Sequence, residues 1–140
     1  MDLITYHLAN VNWVAVAVAA LAFYIIGMLW YSQAVFGKPW MKAVGLSKKD
    51  ADKMDMKVTL TLSALLALVV VSGLGVLMCA LGLNDWQQGA GLGALVGAIF
   101  IAASRGIHML FEGKSLNLFL IDAGYNVIGL AMAGAVIGAF

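Results

Sequence analysis

Three polar side chains, Asp122, Tyr125 and Asn126, sit inside an otherwise apolar run near the C-terminus, LNLFLIDAGYNVIG over residues 116–129. They fall at i, i+3 and i+4, so a helix gathers them on one face, and Gly129 at i+7 continues it. A carboxylate inside a membrane helix costs roughly 2.5–3.5 kcal/mol on insertion scales. It has to be compensated by an ion-pair partner or serve a purpose, as part of a proton or ion path or of a pocket for a headgroup. The preceding apolar run ends in Ser104, Arg105 and His108, and a short turn around Phe111 to Lys114 joins the two. With the turn centred near residue 113, Arg105 faces Asp122 and Gly97 faces Gly129. Gly97, Ile101, Ser104, Arg105 and His108 share a helical face. The expectation is an Arg105–Asp122 ion pair, with Ser104, Tyr125 and Asn126 as hydrogen-bond neighbours.

Other chemistry finds little footing. His7 and His108 lie at opposite ends of the membrane, so they cannot bridge one haem iron. Cys79 is the only cysteine, forms no internal disulfide, and reads as a small buried hydrophobe. Met54-Asp55-Met56 has no histidine or cysteine beside it, so interface-facing methionines are favoured over a soft-metal site. Glu112 beside His108 is the one acid–base pairing on offer, and turn charges are usually just solvated. HExxH, CxxC, Walker and GxSxG patterns are all missing. No enzyme activity, cofactor or metal is expected.

The elements that position the polar face follow from composition. Of 140 residues, 64% are hydrophobic and 11% charged, against about a quarter charged in soluble domains. Mean hydropathy is +0.99. Apolar runs of spanning length recur, continuous rather than alternating, so the class is all-α and integral to the membrane, not a β-barrel. A single domain over residues 1–140 is expected, a four-helix transmembrane bundle with helices at about 11–32, 58–82, 87–110 and 115–140. The first ten residues hold no Lys or Arg, unlike a typical signal peptide, so the first helix is read as retained. Trp13 and Trp30 are 17 residues apart, about 26 Å of helix, which suits aromatic belts around a hydrocarbon core. A net charge of +1 makes no case for nucleic acid.

Residues 33–57 form the one long polar segment. Lys38, Trp40 and Lys42 suit an amphipathic stretch lying along lipid headgroups, and Pro39 stops helix 1 from continuing. Ser47 and Asp50 resemble a capping box opening a short charged helix from Lys48 to about Met56. The tight link at Leu83–Trp86 makes helices 2 and 3 antiparallel neighbours, with Asn84 or Asp85 as the cap. Gly89, Gly93 and Gly97 are spaced at four, and Gly134 and Gly138 repeat that spacing on helix 4. Such ridges let a second backbone approach, within the bundle or across an oligomer interface. A homo-oligomer, most simply a dimer, or a larger membrane-protein partner is expected, together with membrane lipids. Phe36-Gly37-Lys38 and Phe111-Glu112-Gly113-Lys114 also echo each other at equivalent helix ends, a faint sign of parallel repeats.

Several of these stretches together resemble the bacterial four-helix membrane proteins grouped as DUF1761, a domain of unknown function. They are Asn12-Trp13, Trp30-Tyr31-Ser32, Phe36-Gly37-Lys38, Trp40, Gly45-Leu46-Ser47, Phe111–Lys114 and Leu118–Tyr125. The resemblance covers nearly the whole chain. Gln33 stands where the family pattern has proline, and Asp122 where it often has an uncharged amide, so the ion pair belongs to this chain more than to the family. The resemblance implies the fold and brings no established activity. The expected function is a small transporter or channel with its polar face around Asp122. The alternatives are a structural or accessory subunit and a lipid-headgroup binder.

The eight basic residues all lie in, or at the mouths of, the 1–2 and 3–4 connections. By the positive-inside rule these connections face the cytoplasm and both termini face out, in a bacterial inner membrane. A C-terminal alkaline phosphatase fusion should therefore be active and a C-terminal GFP fusion dark. The reverse pattern would invert the topology.

Overall fold

In the computed structural model, which describes residues 2–140, side-chain caps set where the helices begin. Asn12 accepts from the Ala15 amide at 3.1 Å, and Asp85 from the Gln88 amide at 2.8 Å. Asp55 accepts from Lys57 and Val58, and Ser115 from Leu118. Each cap satisfies amides that a helix leaves without partners, which matters most at a membrane surface. The helices are α1 (Leu3–Asn10), α2 (Trp13–Trp30), α3 (Gly37–Val44), α4 (Lys48–Asp52) and α5 (Met56–Leu81), then α6 (Trp86–Phe111) and α7 (Leu116–Ala139). The four long ones, α2, α5, α6 and α7, are apolar enough to cross a membrane. No strand occurs among the described residues.

The polar connection differs from its expected form. The charged helix does not run on to Met56; α4 is five residues long, and Asp55 turns away from it to cap α5. Ser47 and Asp50 do form the reciprocal capping box. The Ser47 hydroxyl, then its amide, hold the Asp50 carboxyl below its ordinary range. Pro39 ends nothing directly; it sits in the first turn of α3, where an amide would have no helical partner. The short helix α1 was not expected. Asp2 caps it through the Thr5 amide at 2.8 Å, and it packs on α5, where His7 meets Cys79.

The helix at the centre is α7. It runs along α6 on one side and crosses α2 on the other, while α5 packs on α2. Helices α5 and α6 follow each other in sequence yet barely touch, so they are not the packed neighbours that their short link suggested. The reason is glycine. A Cβ on Gly89 would meet the Gly134 carbonyl, one on Gly93 the Leu130 carbonyl, and one on Gly138 the Asp85 carbonyl. Backbone touches backbone over most of the α6–α7 seam, and no pair on α5 offers α6 the same approach. Phe23, Leu74, Met78 and Leu130 fill the space between α2, α5 and α7. The outer faces of α5 and α6 keep Leu62, Leu66, Val69, Ile99, Phe100 and Ile107 exposed, as lipid contact requires.

Part of α6 is π-helical, Val96–Ala102. That stretch overturns the expected register. Gly97 faces the Asn126 backbone, 2.6 Å from an added Cβ, while Gly129 faces Phe23 of α2. Downstream, Arg105 still reaches Asp122. Eight residues of α6 thus match four of α7, between Gly97 and Arg105 and between Asn126 and Asp122. A π turn holds more residues per length of axis than an α turn, which absorbs part of the surplus. The long Arg105 side chain spans the rest.

Gly93→Leu should lower stability by roughly 3 kcal/mol or more, since the new side chain lands on backbone that cannot move aside. Gly91 has nothing within 4 Å of an added Cβ, so Gly91→Ala should be neutral or stabilising by up to about 1 kcal/mol. Thermal unfolding in detergent compares them, and equal losses would refute the seam.

Candidate functional site

Asp122, Tyr125 and Asn126 lie beside the end of α2. Trp30 and Tyr31 close that helix, and both reach α7. The Trp30 Nε1 donates to the Ile121 carbonyl at 3.0 Å, and the Tyr31 hydroxyl to Asp122 Oδ1 at 2.8 Å. In return, the Tyr125 hydroxyl of α7 donates to the Phe23 carbonyl of α2 at 3.2 Å. Glycines make the room. A Cβ on Gly27 would lie 2.8 Å from the Tyr125 hydroxyl, and one on Gly124 would lie 2.9 Å from the Trp30 ring.

Asp122 therefore has two partners. Its Oδ1 accepts from Tyr31, and its Oδ2 lies 3.7 Å from Arg105 Nε. The second distance is long for a charge-assisted hydrogen bond, about 2.7–2.9 Å. Arg105 is also shared, with Glu112 Oε1 3.8 Å from its Nη1. The Asp122 side chain is 12% exposed and that of Arg105 43%, so the acid is inside and the guanidinium is at the rim. The short bond to Tyr31, not the ion pair, is the tighter hold on the carboxylate. Sequence spacing could not show it, because Tyr31 is 91 residues away. The available signal was depth: Tyr31 and Asp122 both lie at the lysine-bearing ends of their helices.

The other expected members of the cluster divide. Asn126 donates to the Asp122 carbonyl, one turn back on its own helix, at 2.8 Å. Tyr125 bonds to α2 rather than to the ion pair. Ser104 and His108 are exposed and lie outside the hydrogen-bonded set. Glu112 is tied to Arg105 and not to His108. Trp40, expected at the headgroups, turns inward, with its ring centroid 5.5 Å from that of Tyr31. Lys38 and Lys42 are exposed. Gly89, Gly93, Gly97, Gly134 and Gly138 all lie in the α6–α7 seam, so those ridges are unavailable to another chain.

Because α5 and α6 stand apart, a cleft of about 630 Å³ opens between them. Tyr24, Gly27, Met28 and Tyr31 of α2 form its floor together with Asp122, Tyr125 and Asn126 of α7. Thr59, Leu60 and Ser63 of α5 make one wall, Ile101 and Arg105 of α6 the other, and Trp40 and Val44 of α3 its end. The tyrosine hydroxyls are occupied by protein. Tyr24 donates to the Leu60 carbonyl at 3.0 Å, as Tyr31 and Tyr125 do to their own partners. With their hydroxyls turned to the helices, these residues line the cleft chiefly with carbon. Its volume falls in the range of small-molecule sites, about 300–1,000 Å³. No cluster of metal-ligating side chains occurs among the described residues.

The family model described as "Protein of unknown function (DUF1761)" matches residues 14–138, nearly the whole chain, and the chain belongs to that family. No curated protein and no solved structure matches it.

Removing Tyr31's hydroxyl leaves a buried carboxylate oxygen without its donor, a loss of roughly 1–3 kcal/mol. Removing a rim charge costs about 0–1 kcal/mol. Tyr31→Phe should therefore destabilise the protein more than Arg105→Gln in detergent melts. The opposite order would make the ion pair the principal restraint on Asp122.

Proposed function

We propose that this DUF1761 member is a small membrane transporter whose cleft between α5 and α6 takes up a largely apolar or amphiphilic molecule from the bilayer. The cleft itself supports this reading most directly. It reaches Asp122, a polar group at membrane depth, through walls that are mostly carbon, and it opens on the side where two spanning helices do not meet. A water-filled ion path would need free polar groups along its length, whereas here the tyrosine hydroxyls are already bonded to protein.

No catalytic step is assigned. The lysine-bearing end is taken as cytoplasmic, on the strength of the charge bias. Lys38 and Lys42 then hold α3 at the headgroups while Trp40 and Val44 close the end of the cleft, so lipid contact serves to place the site. The accessory-subunit alternative loses its main support, because the glycine ridges are buried within the chain. A homodimer or a larger partner would have to use the apolar outer faces of the helices.

Ser63 lies in the α5 wall, and Ser63→Trp should fill the cleft without touching the α6–α7 seam. Native mass spectrometry of the wild type, released from membranes in mild detergent, should show a retained small molecule that the variant lacks. A wild type free of any bound molecule, or a variant that retains the same one, would remove the cleft as a binding site.

A further inference from the structure

The charges at the cleft leave one feature that uptake of an apolar molecule does not use. Arg105 stands between two carboxylates, 3.7 Å from Asp122 and 3.8 Å from Glu112. Neither contact is short, and the guanidinium is partly in solvent. Asp122 is the deeper acid and the only one lining the cleft. Glu112 lies outside it, in the turn after α6, with its side chain 46% exposed. A second positive charge entering the cleft could take Arg105's place at Asp122, and Arg105 would then keep a partner in Glu112. The number of paired charges does not fall in the exchange.

The aromatic lining points to the same charge. Tyr24, Tyr31, Tyr125 and Trp40 all contribute to the cleft. Their rings carry negative potential on their faces, which attracts cations and does nothing for anions. The tyrosine hydroxyls cannot serve as donors to an anion or a neutral polar ligand, because each already donates to a carbonyl or to Asp122. An anion would also meet the Asp122 carboxylate at the floor, and the one cation in the lining, Arg105, is already shared between Asp122 and Glu112.

We infer that the cleft selects a hydrophobic organic cation, of the quaternary ammonium or phosphonium kind, which binds among the aromatic rings and displaces Arg105 from Asp122 toward Glu112. This rests on the reading of the cleft as a binding site and adds the class of its occupant.

Tetraphenylphosphonium and tetraphenylborate have nearly the same shape and opposite charge, which isolates the inference. Equilibrium dialysis of each labelled ion against the full chain in neutral-detergent micelles should show the phosphonium bound at least about tenfold more tightly. Arg105→Gln should tighten phosphonium binding several-fold by freeing Asp122. Glu112→Gln should weaken it by a similar factor, since Arg105 then has only Asp122. Both substitutions are at exposed side chains, so folding is not at issue. Asp122→Asn should narrow the preference between the ions to the part that the aromatic rings supply. Equal binding of the two ions to wild type, or tighter binding of the borate, overturns the cation class. A phosphonium preference untouched by Arg105→Gln and Glu112→Gln overturns the exchange. If neither ion binds while Ser63→Trp still loses the retained molecule, the cleft survives and its cationic occupant does not. If that molecule is lacking too, both readings fall.

Discussion

Backbone contact between α6 and α7 is the constraint on which this structure depends. Lipid tails are as apolar as leucine, so exposure to lipid does not drive two membrane helices together; close packing has to. Gly89 against Gly134, Gly93 against Leu130 and Gly138 against Asp85 supply that packing over most of the seam. Once α6 is committed to α7, it is no longer free to pair with α5. Helix α5 finds α2 instead, through Val71, Leu74 and Met78. The order across the structure becomes α5, α2, α7, α6, and the two ends of that order leave the cleft open between them.

The polar interior follows from the same arrangement. With α6 on one flank and α2 on the other, the Asp122 face of α7 is enclosed by the ends of three helices. Tyr31 holds one carboxylate oxygen at 2.8 Å, and Arg105 faces the other at 3.7 Å. Tyr125 and Trp30 cross in opposite directions between α2 and α7, so each helix both gives and receives a bond. These bonds use second lone pairs of helix carbonyls, which lets polar side chains sit at membrane depth without orphaned atoms. They also turn hydroxyls toward protein and rings toward the cleft. A site that began as a stranded carboxylate is therefore largely satisfied internally, with the Arg105 guanidinium at its edge, shared between two acids.

Much of this was legible in the chain. Apolar runs, belt tryptophans and caps placed four spanning helices within about two residues of where they lie. The proximity of Arg105 to Asp122 followed from the turn between them, because an antiparallel hairpin fixes which residues can meet near its bend. The register farther out did not follow. Between Gly97 and Asn126 it is altered by the π-helical stretch, and nothing in Val96–Ala102 announces one: the sequence VGAIFIA is ordinary membrane helix. The glycines were conspicuous, but spacing alone cannot name the surface that a ridge meets.

What the sequence by itself determined is whatever depends on residues close along the chain: membrane class, span count, helix starts, the basic end and the hairpin pair. Those are set by local hydrophobicity, capping chemistry and turn length. Only the tertiary structure decided that α5 and α6 part, that Tyr31 holds Asp122, and that Trp40 faces inward. Each depends on the order in which four similar apolar helices pack, and that order is chosen by how closely particular backbones can approach. Shape complementarity between distant segments leaves no periodic trace in either of them.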